Sequence, residues 1–91
     1  MERTVEVVPE AGLHARPASE LVRTADEFEA SLSVGRADDG DPVSANSMLS
    51  VTGLNVGHGE SVRIVADGPD AAAALDALEA VLTTPVEKNE G

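Results

Sequence analysis

The chain contains no cysteine, tryptophan or tyrosine, only one phenylalanine (Phe28) and only one lysine (Lys88). Without cysteine, disulfides and thiolate metal sites are excluded. With a single aromatic ring, the core must be built from Val, Leu, Ile and Ala. No apolar run approaches the ~20 residues that span a bilayer, so no membrane insertion is expected. Residues 1–4 lead straight into a strand pattern, without the basic and apolar regions of a secretory leader, which predicts a soluble, cytoplasmic protein. Basic residues are few as well: 6 Lys and Arg stand against 17 Asp and Glu, for a formal net charge of −11. That balance argues against nucleic acid as a partner, because Lys and Arg supply the affinity for phosphates.

The acid is dispersed along the chain. Self-repulsion that keeps the protein soluble is one explanation. The lysine scarcity favours another, a surface adapted to a very salty cytoplasm where charge is heavily screened.

Ninety-one residues suffice for one domain. Thr4–Val8 alternates, with Val5 and Val7 on one face, as a strand does. From Ala15 to Glu29 the period changes: Ala18, Leu21, Val22, Ala25 and Phe28 form one helical stripe. Pro17 suits the first turn, where a missing N–H costs nothing. Leu32 and Val34 mark a second strand, Asp38–Asp41 a turn, and Pro42–Ala45 a short third strand. Ser47 resembles an N-cap for a helix over Met48–Thr52 that Gly53 stops. Gly57, His58 and Gly59 make a loop. Val62, Ile64 and Ala66 alternate as a fourth strand. Asp70 is placed to cap a last helix with the stripe Ala71, Ala74, Leu75, Leu78, Val81 and Leu82. The order β-α-β-β-α-β-α predicts an α+β fold: a two-layer open-faced sandwich, its four-stranded antiparallel sheet covered on one face by three helices. Residues 1–84 should form the domain and residues 85–91 a frayed tail.

The chemistry concentrates in Gly12-Leu13-His14-Ala15-Arg16-Pro17-Ala18. His14 stands just ahead of a helix whose first amides lack partners and whose dipole is positive there. Such an end holds anions. Arg16 adds a fixed charge able to grip phosphate oxygens with two donors, and Gly12 permits a sharp turn. An imidazole that is neutral near pH 7 is a good nucleophile. The residues thus describe a nucleophile beside an anion cradle formed by Ala15, Arg16, Pro17 and Ala18. Taken alone, they fit better a histidine that merely caps a helix and a solvated surface arginine. His14 and His58 are too few for a metal site, which wants three or four ligands, and His58 reads as a surface residue. No cofactor or metal is expected.

The seven-residue motif resembles the active-site signature of the HPr family, the histidine-containing phosphocarriers of the phosphoenolpyruvate:sugar phosphotransferase system. Two further segments fit, Ser44-Ala45-Asn46-Ser47-Met48-Leu49 and Gly53-Leu54-Asn55-Val56-Gly57-His58-Gly59, so the likeness spans nearly the whole chain. It implies a stoichiometric carrier rather than an autonomous enzyme, a monomer, with His14 phosphorylated on Nδ1 by enzyme I and discharged to a sugar-specific EIIA component. It implies that Arg16 holds the phosphoryl group. It places Ser47 where some members are phosphorylated by an HPr kinase/phosphorylase, although Ser47 also suffices as a plain helix cap. Met48 and Leu49 fall on apolar docking positions, with Thr52 and Arg23 beside them, though Leu49 also fits a core position. Asp26, Asn46 and Ser50 stand where the family often carries lysines, which weakens long-range steering. A regulatory paralogue in a parallel, nitrogen-related relay and a non-catalytic binding module of the same fold are the competing readings.

Overall fold

The computed structural model describes residues 1–10 and 12–84. Seven elements follow in the expected order: β1 (Glu2–Glu6), α1 (Ala15–Ala25), β2 (Ser31–Arg36), β3 (Asp39–Ser44), α2 (Met48–Gly53), β4 (Ser61–Asp67) and α3 (Ala71–Thr83). The strands form one sheet in the order β1-β4-β2-β3, and every neighbouring pair is antiparallel. Period-two alternation turns Val62, Ile64 and Ala66 of β4 toward the helices, where all are fully buried. Val5, Val7, Leu32 and Val34 join them from the neighbouring strands, and Leu21, Leu75, Leu78 and Leu82 close the core from α1 and α3. This is the two-layer α+β sandwich expected from the element order. The core is aliphatic; Phe28 only packs against its margin.

Several boundaries differ from the expected ones, each for a physical reason. The ladder of β1 begins at Glu2, because Arg3 takes an inward position in line with Val5. Its guanidinium is satisfied by Asp76 (2.8 Å) and Glu79 (2.7 Å) on α3. A charged residue at an inward position hides the start of the strand. Val7, past the end of the ladder, still exchanges backbone bonds with Glu60 and Gly59.

α1 ends at Ala25 rather than Glu29. Beyond it come Asp26, Glu27 and Glu29, carboxylates set at the negative end of a helix dipole. The chain then turns so that the amides of Glu29 and Ala30 each donate to the Asp70 carboxylate at 2.9 Å. Asp70 does stand at the N-cap position of α3, but its side chain makes no bond within that helix. It ties the α1–β2 connection down instead, and Gly68 permits the approach: a Cβ there would lie 2.6 Å from the Ala30 Cα.

The β2–β3 turn is the pair Ala37–Asp38, so Asp39–Asp41 belong to β3 rather than to a turn. Gly53 does not stop α2. The helix runs through it, and Asn55 takes the left-handed conformation at φ +58° that helix ends favour. The tail expected over residues 85–91 lies outside the described residues.

Candidate functional site

His14 is the N-cap residue of α1, with extended backbone at φ −137° and ψ 168°. The fold grips the segment just ahead of it. The Leu13 side chain is fully buried, and its amide donates to the Val56 carbonyl at 2.9 Å. Gly12 lies at φ +77°, and a Cβ there would sit 2.5 Å from the Val56 oxygen and 2.7 Å from the Gly57 Cα. Only glycine fits that combination of left-handed backbone and close approach. The Gly12 amide donates to the Pro9 carbonyl at 2.9 Å. With Leu13 anchored in the core, His14 is half-buried, while Ala15 and Arg16 face solvent.

The start of α1 is left open. Among the described residues no side chain caps it, and its first turn holds no acidic residue. Ala18 donates to the His14 carbonyl over a long 3.4 Å, and Pro17, itself buried, contributes no N–H. Ala15 adopts φ +52°, a conformation that costs an alanine about 1–2 kcal/mol. The helical turn is therefore strained at the residue directly after His14, a feature that residue types alone do not reveal.

Arg16 and Arg23 are exposed on one face of α1, seven residues apart. Among the described residues no ion pair engages either of them, whereas Arg3, Arg36 and Arg63 all pair with carboxylates. In a chain with so much acid, two guanidiniums on the helix that follows His14 thus stay outside the ion pairs of the described residues.

α2 packs beside α1. It ends three residues before Val56, so the Val56–Leu13 bond brings its C-terminal end to the start of α1. Ser47 caps α2 through its hydroxyl oxygen, which accepts from the Ser50 amide at 3.3 Å. Leu49 is not a core residue: it is 85% exposed, against 40% for Met48, and Val51 fills the core in its place. In a helix of six residues only one position faces fully inward, and Val51 takes it. Thr52 is half-buried and spends its hydroxyl on the Met48 carbonyl at 2.9 Å.

His58 is exposed, and its Nδ1 lies 2.8 Å from the Val8 carbonyl, to which it must donate. A groove of about 430 Å³ lies between the end of α1 and the β2–β3 edge, lined by Asp26, Phe28, Leu32, Val43 and Asn46. Eleven residues at 1.5 Å rise separate the two ends of α1 by about 16 Å, so this groove does not serve His14. No group of three or more potential metal ligands occurs among the described residues, and no helix among them is long and apolar enough to cross a membrane.

Residues 1–84 match the family model described as the PTS HPr component phosphorylation site. The chain belongs to the HPr family. As a member it is a phosphocarrier of the phosphotransferase system, and its partners are components of that system. It is 67% identical over 88 residues to the phosphocarrier protein HPr of Haloferax volcanii, a halophile, covering 97% of this chain and 99% of that one. It is 47% identical over 68 residues to a multiphosphoryl transfer protein of Vibrio cholerae, covering 74% of this chain and 17% of that protein. Among solved structures, the HPr of Bacillus anthracis superposes with a TM-score of 0.84 at 35% identity, over 90% of this chain and 95% of that one. The HPr likeness thus extends from the motif around His14 to the whole sandwich.

Proposed function

We propose that His14 is the phosphoryl acceptor of this carrier. Its Nδ1 lone pair attacks the phosphorus of a phosphohistidine on enzyme I; the new N–P bond forms as the old one breaks, and that electron pair returns to the donor's ring nitrogen. A histidine of an EIIA component then repeats the step on phospho-His14. The protein acts stoichiometrically in the cytoplasm, as a monomer, without metal or cofactor.

The observation that carries this reading is the open start of α1 at His14. The first amides, without hydrogen-bond partners among the described residues, and the positive helix end favour a phosphorylated, anionic ring. Each such contact is worth about 0.3–1 kcal/mol when exposed, enough to hold the group and too little to trap it. Arg16 supplies the charged grip on the phosphoryl oxygens. Met48 and Leu49 supply an exposed apolar patch of the kind that marks docking surfaces, with Thr52 and Arg23 at its border. Because Asp26, Asn46 and Ser50 replace lysines, docking relies on short-range contacts of Met48, Leu49, Arg16 and Arg23. In molar salt, where the Debye length is ~3 Å, long-range steering would be lost in any case.

Ser47 is the proposed regulatory site. A phosphate at the start of α2 is tolerated locally and adds charge beside the docking patch. Incubation with an HPr kinase/phosphorylase and ATP, followed by mass spectrometry, tests it; phosphate absent from Ser47 removes the idea.

Labelled phosphoenolpyruvate with enzyme I tests the main reading. The wild-type chain takes up label and His14→Ala takes up none. Equal labelling of the two would overturn the assignment.

A further inference from the structure

The loop of residues 54–60, between α2 and β4, makes four hydrogen bonds to the segment ahead of His14. The Val56 carbonyl accepts from the Leu13 amide (2.9 Å), His58 Nδ1 donates to the Val8 carbonyl (2.8 Å), the Gly59 amide donates to the Val7 carbonyl (2.8 Å), and the Glu60 carbonyl accepts from the Val7 amide (2.8 Å). No strand and no helix beyond a last turn at Leu54 passes through these seven residues, and two of them are glycines. Regular secondary structure therefore does not fix the loop.

A pair of charged side chains does. Glu60 folds back so that its Oε1 accepts from the Gly57 amide at 2.7 Å, while its Oε2 accepts from Arg36 Nη2 at 2.8 Å. Arg36 stands at the end of β2, opposite Val62 of β4. Its Nη1 reaches past Glu60 to the carbonyls of Asn55 (3.1 Å) and Leu54 (3.4 Å). Leu54, Asn55 and Gly57 are thus all tied to one guanidinium–carboxylate pair. Val56, which holds Leu13, lies between the tied residues Asn55 and Gly57.

We propose that Arg36 and Glu60 are positioning residues for phosphoryl transfer: they fix the 54–60 loop and, through the Val56–Leu13 bond, the place at which His14 presents its ring. This rests on the reading of His14 as acceptor. A half-exposed ion pair adds little to global stability, whereas a small displacement of a reacting group costs a great deal in rate. Loss of the pair therefore shows in turnover more than in folding.

The test uses the full-length chain as substrate of enzyme I, with kcat and KM measured separately for wild type, Arg36→Ala, Arg36→Lys and Glu60→Gln. The folded fraction of each comes from circular dichroism, and the His14 imidazole signals come from ¹H–¹⁵N spectra. Arg36→Ala should lower kcat per folded molecule by about 10- to 100-fold. KM should stay within about twofold, since neither residue lies on the docking patch. Glu60→Gln should cost less, Arg36→Lys should recover part of the loss, and the His14 signals should shift in the alanine variant. A kcat per folded molecule within about twofold of wild type overturns the inference. So does a lower kcat with unmoved His14 signals. If Arg36→Ala does not fold, Glu60→Gln is held to the same two criteria. His14→Ala runs alongside: label on that variant would refute the acceptor assignment, whereas normal turnover of a folded Arg36→Ala refutes the positioning role alone.

Discussion

Replacing Gly12 by alanine perturbs the support of His14 without touching His14, and the size of the effect follows from the backbone. Gly12 sits at φ +77°, where an L-residue costs about 1–2 kcal/mol. The new methyl would stand 2.5 Å from the Val56 oxygen and 2.7 Å from the Gly57 Cα. Both neighbours are backbone and cannot swing aside, so the 12–13 segment and the 56–57 loop must part. That lengthens the buried Leu13–Val56 hydrogen bond, at a further cost of about 1–3 kcal/mol when a buried group loses its partner. Stiffening of the unfolded chain returns only about 0.4–1 kcal/mol. The net loss is about 2–4 kcal/mol, a large part of a domain's typical 5–15 kcal/mol. For a domain of this size it should lower Tm by at least about 8 °C. Gly53→Ala is the internal control: apart from its chain neighbours and its own helix backbone, no atom of the described residues lies within 4 Å of its Cβ position, and it is the last residue of α2. That change should stabilise by up to about 1 kcal/mol. Urea unfolding of the three proteins in the same salt measures both. Gly12→Ala within about 0.5 kcal/mol of wild type, or both substitutions shifting in the same direction, would refute the reasoning.

Asp70→Asn should destabilise the protein near neutrality, with the penalty fading in acid. Bonds from the Glu29 amide first and the Ala30 amide next hold the Asp70 carboxyl below its ordinary pKa. A group whose folded pKa is depressed lends its stability above its unfolded value and surrenders it as pH falls through the folded one. The Tm gap between the two proteins should therefore be constant from pH 7 to about 5 and close below about pH 4; a gap that persists at pH 2 contradicts it. Leu49→Ser, at a position 85% exposed, should leave stability within about 0.5 kcal/mol while raising KM for phosphorylation by enzyme I; an unchanged KM removes Leu49 from the docking patch. Raising KCl from low to molar concentration should increase Tm by screening the self-repulsion of a −11 chain, and a Tm indifferent to salt would end the salt-adaptation reading.

What the sequence made legible was local. The alternation of Val62, Ile64 and Ala66 and the stripe of Leu75, Leu78 and Leu82 fixed their own elements, since each pattern is complete within a few residues. Pro17 and the motif around His14 marked the start of α1 for the same reason. The end of α1 was not legible, because the group that turns the chain there is Asp70, 41 residues from the amide of Glu29 that it binds. Leu49 could pass for core because a six-residue helix has too few turns to declare its inward face; only packing against α1 settles that Val51 is the buried one. Arg36 and Glu60 are 24 residues apart and belong to no shared period. Each alone reads as an ordinary surface charge, and their link to Leu13 exists only in three dimensions. Ala15 at φ +52° is illegible for a different reason: alanine favours helix, and the surroundings override it.

The strand order has a consequence for biosynthesis. β1 is made first, yet within the described sheet its one neighbour is β4, which begins at Ser61. A nascent chain stalled before that point holds a β2–β3 hairpin and an amino-terminal strand with nothing to lie against. Val56 and Glu60, which brace the residues ahead of His14, emerge just as late. Residues through Glu60 must therefore be synthesised before the segment ahead of His14 can be held, and β4 before the amino-terminal strand finds its neighbour.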